Sequence, residues 1–164
     1  MEKVKEKERA KKISESITEQ VQIIMPEQIN GFNRLFGGKL VEWMDVVAAV
    51  VARRHSNCNV TTASIDRLQF KAPAYINDTM VLQGRVTYVG NTSMEVRVDA
   101  YTESLDGEKH LVNTAYFTMV ALDEHEKPTP VPRLICETDE DEEEYKAGEK
   151  RKEARRPAPP IASV

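Results

Sequence analysis

Between Ser16 and Met25 apolar residues fall on alternate positions, at Ile17, Val21, Ile23 and Met25, and Pro26 follows. This period of two predicts a first strand, and the aperiodic residues 27–35 are expected to form a loop. The pattern then changes. After Phe36-Gly37-Gly38 the chain runs from Leu40 to Ala52 with Glu42 and Asp45 as its only charges, and beyond Asp45 it is apolar on every side. That is the pattern of a helix enclosed by protein. It is predicted to begin near Phe36 and stop by Asn57, with Arg53, Arg54 and His55 in the last turn, where cations suit the negative end of the helix dipole. Four β-rich segments follow: 60–70, 80–88, 93–102 and 110–122. The breaks between them hold Pro73 with Asn77-Asp78, then Gly90-Asn91, then Asp106-Gly107. Short turns between successive strands imply antiparallel pairing. The expected architecture is α+β: one long central helix wrapped by an antiparallel sheet of about five strands.

At 164 residues the chain suits one domain with a real core. Charged residues crowd both ends, which predicts a charged N-terminal extension over 1–13, a globular domain over 14–136, and a tail over 137–164. The tail's acidic run and the following Lys150-Arg151-Lys152 carry no apolar stripe, so it reads as a solvated segment or a single exposed helix, ending extended through Pro157, Pro159 and Pro160. Removing 139–164 is therefore expected to leave folding largely intact. No apolar run is long enough for a membrane span, and the charged start Met1-Glu2-Lys3 is unlike a secretory leader, so neither is expected. Two distant cysteines, Cys58 and Cys136, argue against a disulfide scaffold or zinc site and for a reducing compartment, the cytoplasm. The net charge of −4 argues against a nucleic-acid partner.

Asp45 is the residue that needs a reason. An ionised carboxylate inside an apolar helix must find donors, take a proton, or serve chemistry. The plain alternatives are an ion pair with a distant arginine or a helix face more open than the pattern suggests.

Asn30 upstream of Phe36-Gly37-Gly38, then Met44-Asp45, Thr62-Ala63-Ser64-Ile65-Asp66 and Phe70-Lys71-Ala72-Pro73, resemble the motifs of the hotdog-fold acyl-CoA thioesterases. Within that family they are most similar to bacterial acyl-CoA hydrolases related to the brain-type cytosolic enzymes of animals. The likeness covers roughly residues 16–133, with one departure: the family often has Gly three residues after the loop Asn, where this chain has Asn33. The resemblance implies hydrolysis of an acyl-CoA substrate with no cofactor beyond the coenzyme A of that substrate. Asp45 would be the general base or nucleophile. Gly37 and Gly38, at the start of the helix, would offer backbone N–H groups to the oxyanion. Asn30 would orient water or thioester, and Ser64 is a further polar candidate. Coenzyme A phosphates would need cations, for which Lys71, Arg85, Lys127 and Arg133 are available, or the N–H groups of the Gly90-Asn91 turn. The resemblance also implies a site formed between two subunits, hence a homo-oligomer, dimer at least, with hexamers of three dimers common.

Three rivals are weaker. A hydratase would pair a His with a carboxylate, but His55, His110 and His125 fall outside the helix interior and the loop before it. A non-catalytic acyl-CoA sensor or regulator would carry a DNA-binding module, for which residues 1–13 are too short. A metal hydrolase would need clustered ligands, and none is visible.

Overall fold

In a computed structural model, described for residues 10–155, the alternating and apolar segments become strands and a helix close to where their periods place them. Pro157, Pro159 and Pro160, and the first nine residues of the N-terminal extension, lie outside the described residues. The elements are β1 (Ala10–Lys12), β2 (Thr18–Ile23), α1 (Gly37–Ser56), β3 (Asn59–Phe70), β4 (Thr79–Val89), β5 (Ser93–Glu103), β6 (Lys109–Leu122), β7 (Arg133–Ile135) and α2 (Asp139–Ala154). Five strands form one antiparallel sheet in the order β2-β4-β5-β6-β3, and β1 pairs in parallel with β7.

Helix α1 crosses the inner face of this sheet. Met44, Val47, Ala48, Val51 and Ala52 pack on Leu82, Val86, Val96, Val98 and Phe117, all within one buried cluster. The approach is closest at Gly84, where a Cβ would stand 2.8 Å from Val47 Cγ1, so only glycine fits. Asn57 ends the helix in the left-handed conformation, with φ 55° and its N–H on the Arg53 carbonyl. Among the described residues the helix is not enclosed on all sides: Val46 is 52% exposed and Asp45 half-buried, because none of them covers the flank beside β3.

The folded unit is wider than 14–136. Lys11 is buried, and its ammonium donates to the Arg54 carbonyl and to Asn57 Oδ1, closing the end of α1. At the other terminus the acidic run forms α2, started by a capping box between Thr138 and Asp141 and aligned with its own dipole by Asp139 to Glu142 in the first turn and Arg151 and Lys152 in the last. This helix is not a free tail. It lies on the outer face of the sheet, where Gly148 lets it come within van der Waals reach of Tyr88, and the Tyr145 ring packs against that of Tyr88, tilted by 52° with centroids 4.8 Å apart. Charge holds it there. Glu144 takes a bidentate pair from Arg85 at 3.0 and 2.7 Å and a bond from Arg97 at 2.7 Å, while Arg151 forks onto Glu95 at 3.0 and 2.7 Å. Glu95 and Asp99 are each 3% exposed and also accept from Thr87 and Thr114.

His55 is buried at the end of α1 and does not act as a surface cation. Its Nε2 donates to the Pro132 carbonyl at 2.9 Å and Nδ1 has no partner, which fixes the neutral tautomer. Burial pushes its pKa below the ordinary value; the Pro132 bond works the other way, and the Lys11 charge lowers it further. Above pH about 6.5 the ring is neutral in folded and unfolded chains alike, so its contribution is fully present. Below that, the unfolded chain takes up the proton first and stability is lost as pH falls through the folded pKa. Urea midpoints measured from pH 7.5 down to 5 should fall more steeply in the parent than in His55→Gln; equal slopes would show that His55 does not carry this dependence.

Candidate active site

Asp45 sits on the open flank of α1, and Thr62 on β3 donates its hydroxyl to Asp45 Oδ1 at 2.6 Å. Among the described residues no cation pairs with Asp45. The partner is a hydroxyl that the sequence did not single out; the polar candidate on this strand was Ser64. A bulge decides between them. The β3–β6 register steps from Thr62↔Met119 to Ser64↔Thr118, so Ala63 is the extra residue. Thr62 therefore faces α1, also reaching the Met119 sulfur at 3.5 Å, whereas Ser64 shares the outer face with Thr118, which pairs with Arg155 of α2. In one chain the sheet separates Ser64 from Asp45.

The second group of candidates gathers at the start of α1. The Phe36 carbonyl accepts from the N–H groups of Lys39 and Leu40, which leaves those of Gly37 and Gly38 as the unpaired donors of the first turn. Aromatic rings stand over both glycines: a Cβ on Gly38 would be 2.6 Å from the Phe36 ring, and one on Gly37 3.3 Å from Phe70. Asn30 heads a tight loop in which its Oδ1 accepts from the N–H groups of Phe32 and Arg34. Its amide nitrogen is left to donate. Asn33 adopts φ 61°, the left-handed conformation that Asn tolerates better than most residues, so the loop holds the shape a glycine would give. Asn30 and Lys71 line one cavity of about 280 Å³ with Leu35, Leu40, Phe70 and Val112.

These two groups do not meet within one chain. Seven residues of helix separate Gly38 from Asp45, about 10 Å, and β3 covers roughly 25 Å between Thr62 and Phe70. Gly90 and Asn91 are apart from both. They line a cavity of about 370 Å³ with Val131, Arg133, Leu134 and Tyr145, three strands across the sheet from Thr62. The Gly90 N–H already donates to the Ser93 carbonyl, so it cannot join an anion-binding nest; the cations at that turn are Arg133 and Lys152, whose Nζ lies against Gly90. Arg85 is spent on Glu144 and Asp99. No group of three or more His, Cys, Asp or Glu among the described residues could hold a metal ion, and no described helix is long and apolar enough to cross a membrane.

A long helix on a five-stranded antiparallel sheet, with glycines opening the helix and an aspartate two turns on, defines a hotdog-fold thioesterase. The thioesterase superfamily profile matches residues 32–108. The chain is 43% identical over 119 residues to the uncharacterised acyl-CoA thioester hydrolase YkhA of Bacillus subtilis, covering 72% of this chain and 69% of that one. It is 30% identical over 142 residues to the cytosolic acyl coenzyme A thioester hydrolase of Rattus norvegicus, spanning 85% of this chain but only 37% of the rat protein. Among solved structures, a hexameric acyl-CoA thioesterase superposes with a TM-score of 0.85 at 39% identity, over 88% of this chain and 94% of that one. The acyl-CoA hydrolase of Staphylococcus aureus, solved with butyryl coenzyme A, coenzyme A and coenzyme A disulfide, gives 0.84 at 32% identity over 88% of each chain. That enzyme has also been solved with an aspartate, a threonine and an asparagine each replaced by alanine, at the same spacings along the chain as Asp45, Thr62 and Asn30 here. The chain belongs to the acyl-CoA thioester hydrolase family.

Proposed function

We propose that this protein hydrolyses acyl-CoA thioesters to free acid and coenzyme A in a site completed by two copies of the chain. The observation that carries this reading is the separation just described: a carboxylate with its hydroxyl partner on one stretch of β3 and α1, and a set of oxyanion donors on another, too far apart to act on one carbonyl. Strand β3 ends the sheet, so its outer hydrogen-bonding edge has no partner among the described residues. Exposed apolar residues flank it, including Ile65, Leu68 and Phe70 on the strand and Val46 on α1. Antiparallel pairing of two such edges about a two-fold axis would bring Thr62 and Asp45 of one copy toward Phe70, Gly37 and Asn30 of the other. The hexameric relative supports assembly beyond the dimer.

In this site the Gly37 and Gly38 N–H groups, with the Asn30 amide nitrogen, stabilise the oxygen that becomes negative when the thioester carbonyl is attacked. Asp45 acts as general base on water or attacks directly as nucleophile, and the Thr62 hydroxyl fixes its orientation. Lys71 stands beside the donors as a cation for the coenzyme A phosphates, and Arg133 and Lys152, beside the Gly90-Asn91 turn, form a second candidate. No cofactor is required.

Thiol release from a series of acyl-CoA esters of increasing length tests the activity, and light scattering at micromolar concentration tests the assembly. Hydrolysis by a dimer or larger is expected. Binding of the esters without thiol release would replace the hydrolase reading with that of an acyl-CoA-binding protein, and a monomer mass would remove the shared site.

A further inference from the structure

The inner face of the sheet carries a fully buried polar side chain that nothing in the mechanism uses. Asn113 on β6 is fully buried, at 0% exposure, and both its Nδ2 and its Oδ1 lack a partner among the described residues. A buried amide left without partners at both ends bears the whole desolvation cost of a donor and an acceptor, so its presence in a core needs an explanation. Its neighbours are apolar: Ala100 lies opposite on β5 and Phe70 opposite on β3.

Position supplies the explanation. Phe70 is the residue whose ring stands over Gly37, and Phe70 and Val112, the latter adjacent to Asn113 in the chain, both line the cavity that holds Asn30 and Lys71. Asn113 is thus one strand spacing, about 5 Å, from the residue that roofs the oxyanion donors. An acyl group whose carbonyl is bound at Gly37 and Gly38 passes Phe70 within its first few carbons. Phe70 lines this cavity and lies opposite Asn113, so a rotation of its side chain would open the amide to the cavity.

We propose that Asn113 is a specificity-determining residue of the acyl pocket, and that the favoured substrates are acyl-CoA esters bearing a hydroxyl or keto oxygen a few bonds from the thioester. An amide offers such an oxygen both a donor and an acceptor, while a plain methylene leaves both unpaired. This is the arrangement that discriminates most strongly, since a site built to hydrogen-bond a polar group rejects the analogue lacking it. The inference rests on the hydrolase reading above.

The test compares 3-hydroxybutyryl-CoA with butyryl-CoA on the full-length protein. The parent should favour the hydroxylated ester by about tenfold or more in kcat/KM, and Asn113→Leu should bring that ratio to about one. Asn113→Ser, which keeps a hydroxyl in a smaller side chain, carries the test if the leucine variant does not fold, and should give an intermediate ratio. A parent ratio of one or less overturns the proposal. So does a ratio unchanged in the variants, above all with a higher melting temperature for Asn113→Leu, which would identify an amide satisfied by buried water. Turnover of plain esters without preference sinks this proposal alone; turnover of neither ester, nor of any longer one, removes the hydrolase reading with it.

Discussion

Asp45→Ala is expected to lower acyl-CoA turnover by about 100-fold or more, the scale of losing a general base or nucleophile, while melting temperature holds or rises slightly. Among the described residues the carboxylate makes one hydrogen bond, from Thr62, and no ion pair, so its loss breaks no network there. The Thr62 hydroxyl keeps the Met119 sulfur as a weaker neighbour. Removing a partly desolvated charge from an otherwise apolar helix often stabilises. Asp45→Asn separates shape from basicity: it preserves volume and can still accept from Thr62, yet should lose nearly as much turnover. Steady-state thiol release and thermal melts on both variants decide the matter. Variants that unfold, with any folded fraction keeping parent turnover, would make Asp45 a structural partner.

Arg151→Ala should lower stability by about 3 kcal/mol or more, the cost of breaking a buried pair from one side, which in a chain of this size lowers the melting temperature by roughly 6–12 °C. The guanidinium is largely buried, forks onto Glu95 and lies 4.0 Å above the Tyr116 ring, so ion pair and cation–π contact go together. Glu95 would keep Thr87 as a hydrogen-bond donor and only the more distant Arg155, at 3.7 Å, as a cation. The double variant Glu95→Gln with Arg151→Met should recover much of the loss, because it removes both charges together. Ending the chain before Thr138 should cost at least as much as Arg151→Ala, contrary to the expectation drawn from the tail's composition. A truncated protein that melts with the parent would show that α2 rests on the sheet without stabilising it.

Helix α1 and the five strands of the main sheet were legible because burial against a shared core imposes periods of 3.6 and 2, and those periods survive in Leu40 to Ala52 and in β3 to β6. The docking of α2 was not legible. Its contacts are Arg–carboxylate forks, Tyr145 and the close approach at Gly148, and none of these leaves an apolar stripe. Strands β1 and β7 have three residues each, too short for any period. In the site, Asp45 and the two glycines stood out by contrast with their surroundings. Thr62 did not, since a threonine in a strand is ordinary. Asn113 was hidden for the same reason, because a single polar residue inside a β-rich run resembles an outward-facing position. The Gly90-Asn91 turn was read as a source of free N–H groups, and the hairpin closes by using that of Gly90.

The extra residue at Ala63 has effects on both sides of the sheet. Were β3 straight through this point, Ser64 would turn inward beside Thr62, and Ile65 and Asp66 would exchange faces. With the bulge, Ile65 comes to lie opposite Phe117 on the inner side, and Asp66 points outward to meet Arg155 of α2 at 3.5 Å. The same one-residue step thus keeps a second hydroxyl away from Asp45 and delivers a carboxylate to the terminal helix. Loss or gain of a residue here would be felt in two places at once, so the length of this strand segment is constrained by the chemistry on one face and by the docking of a helix on the other.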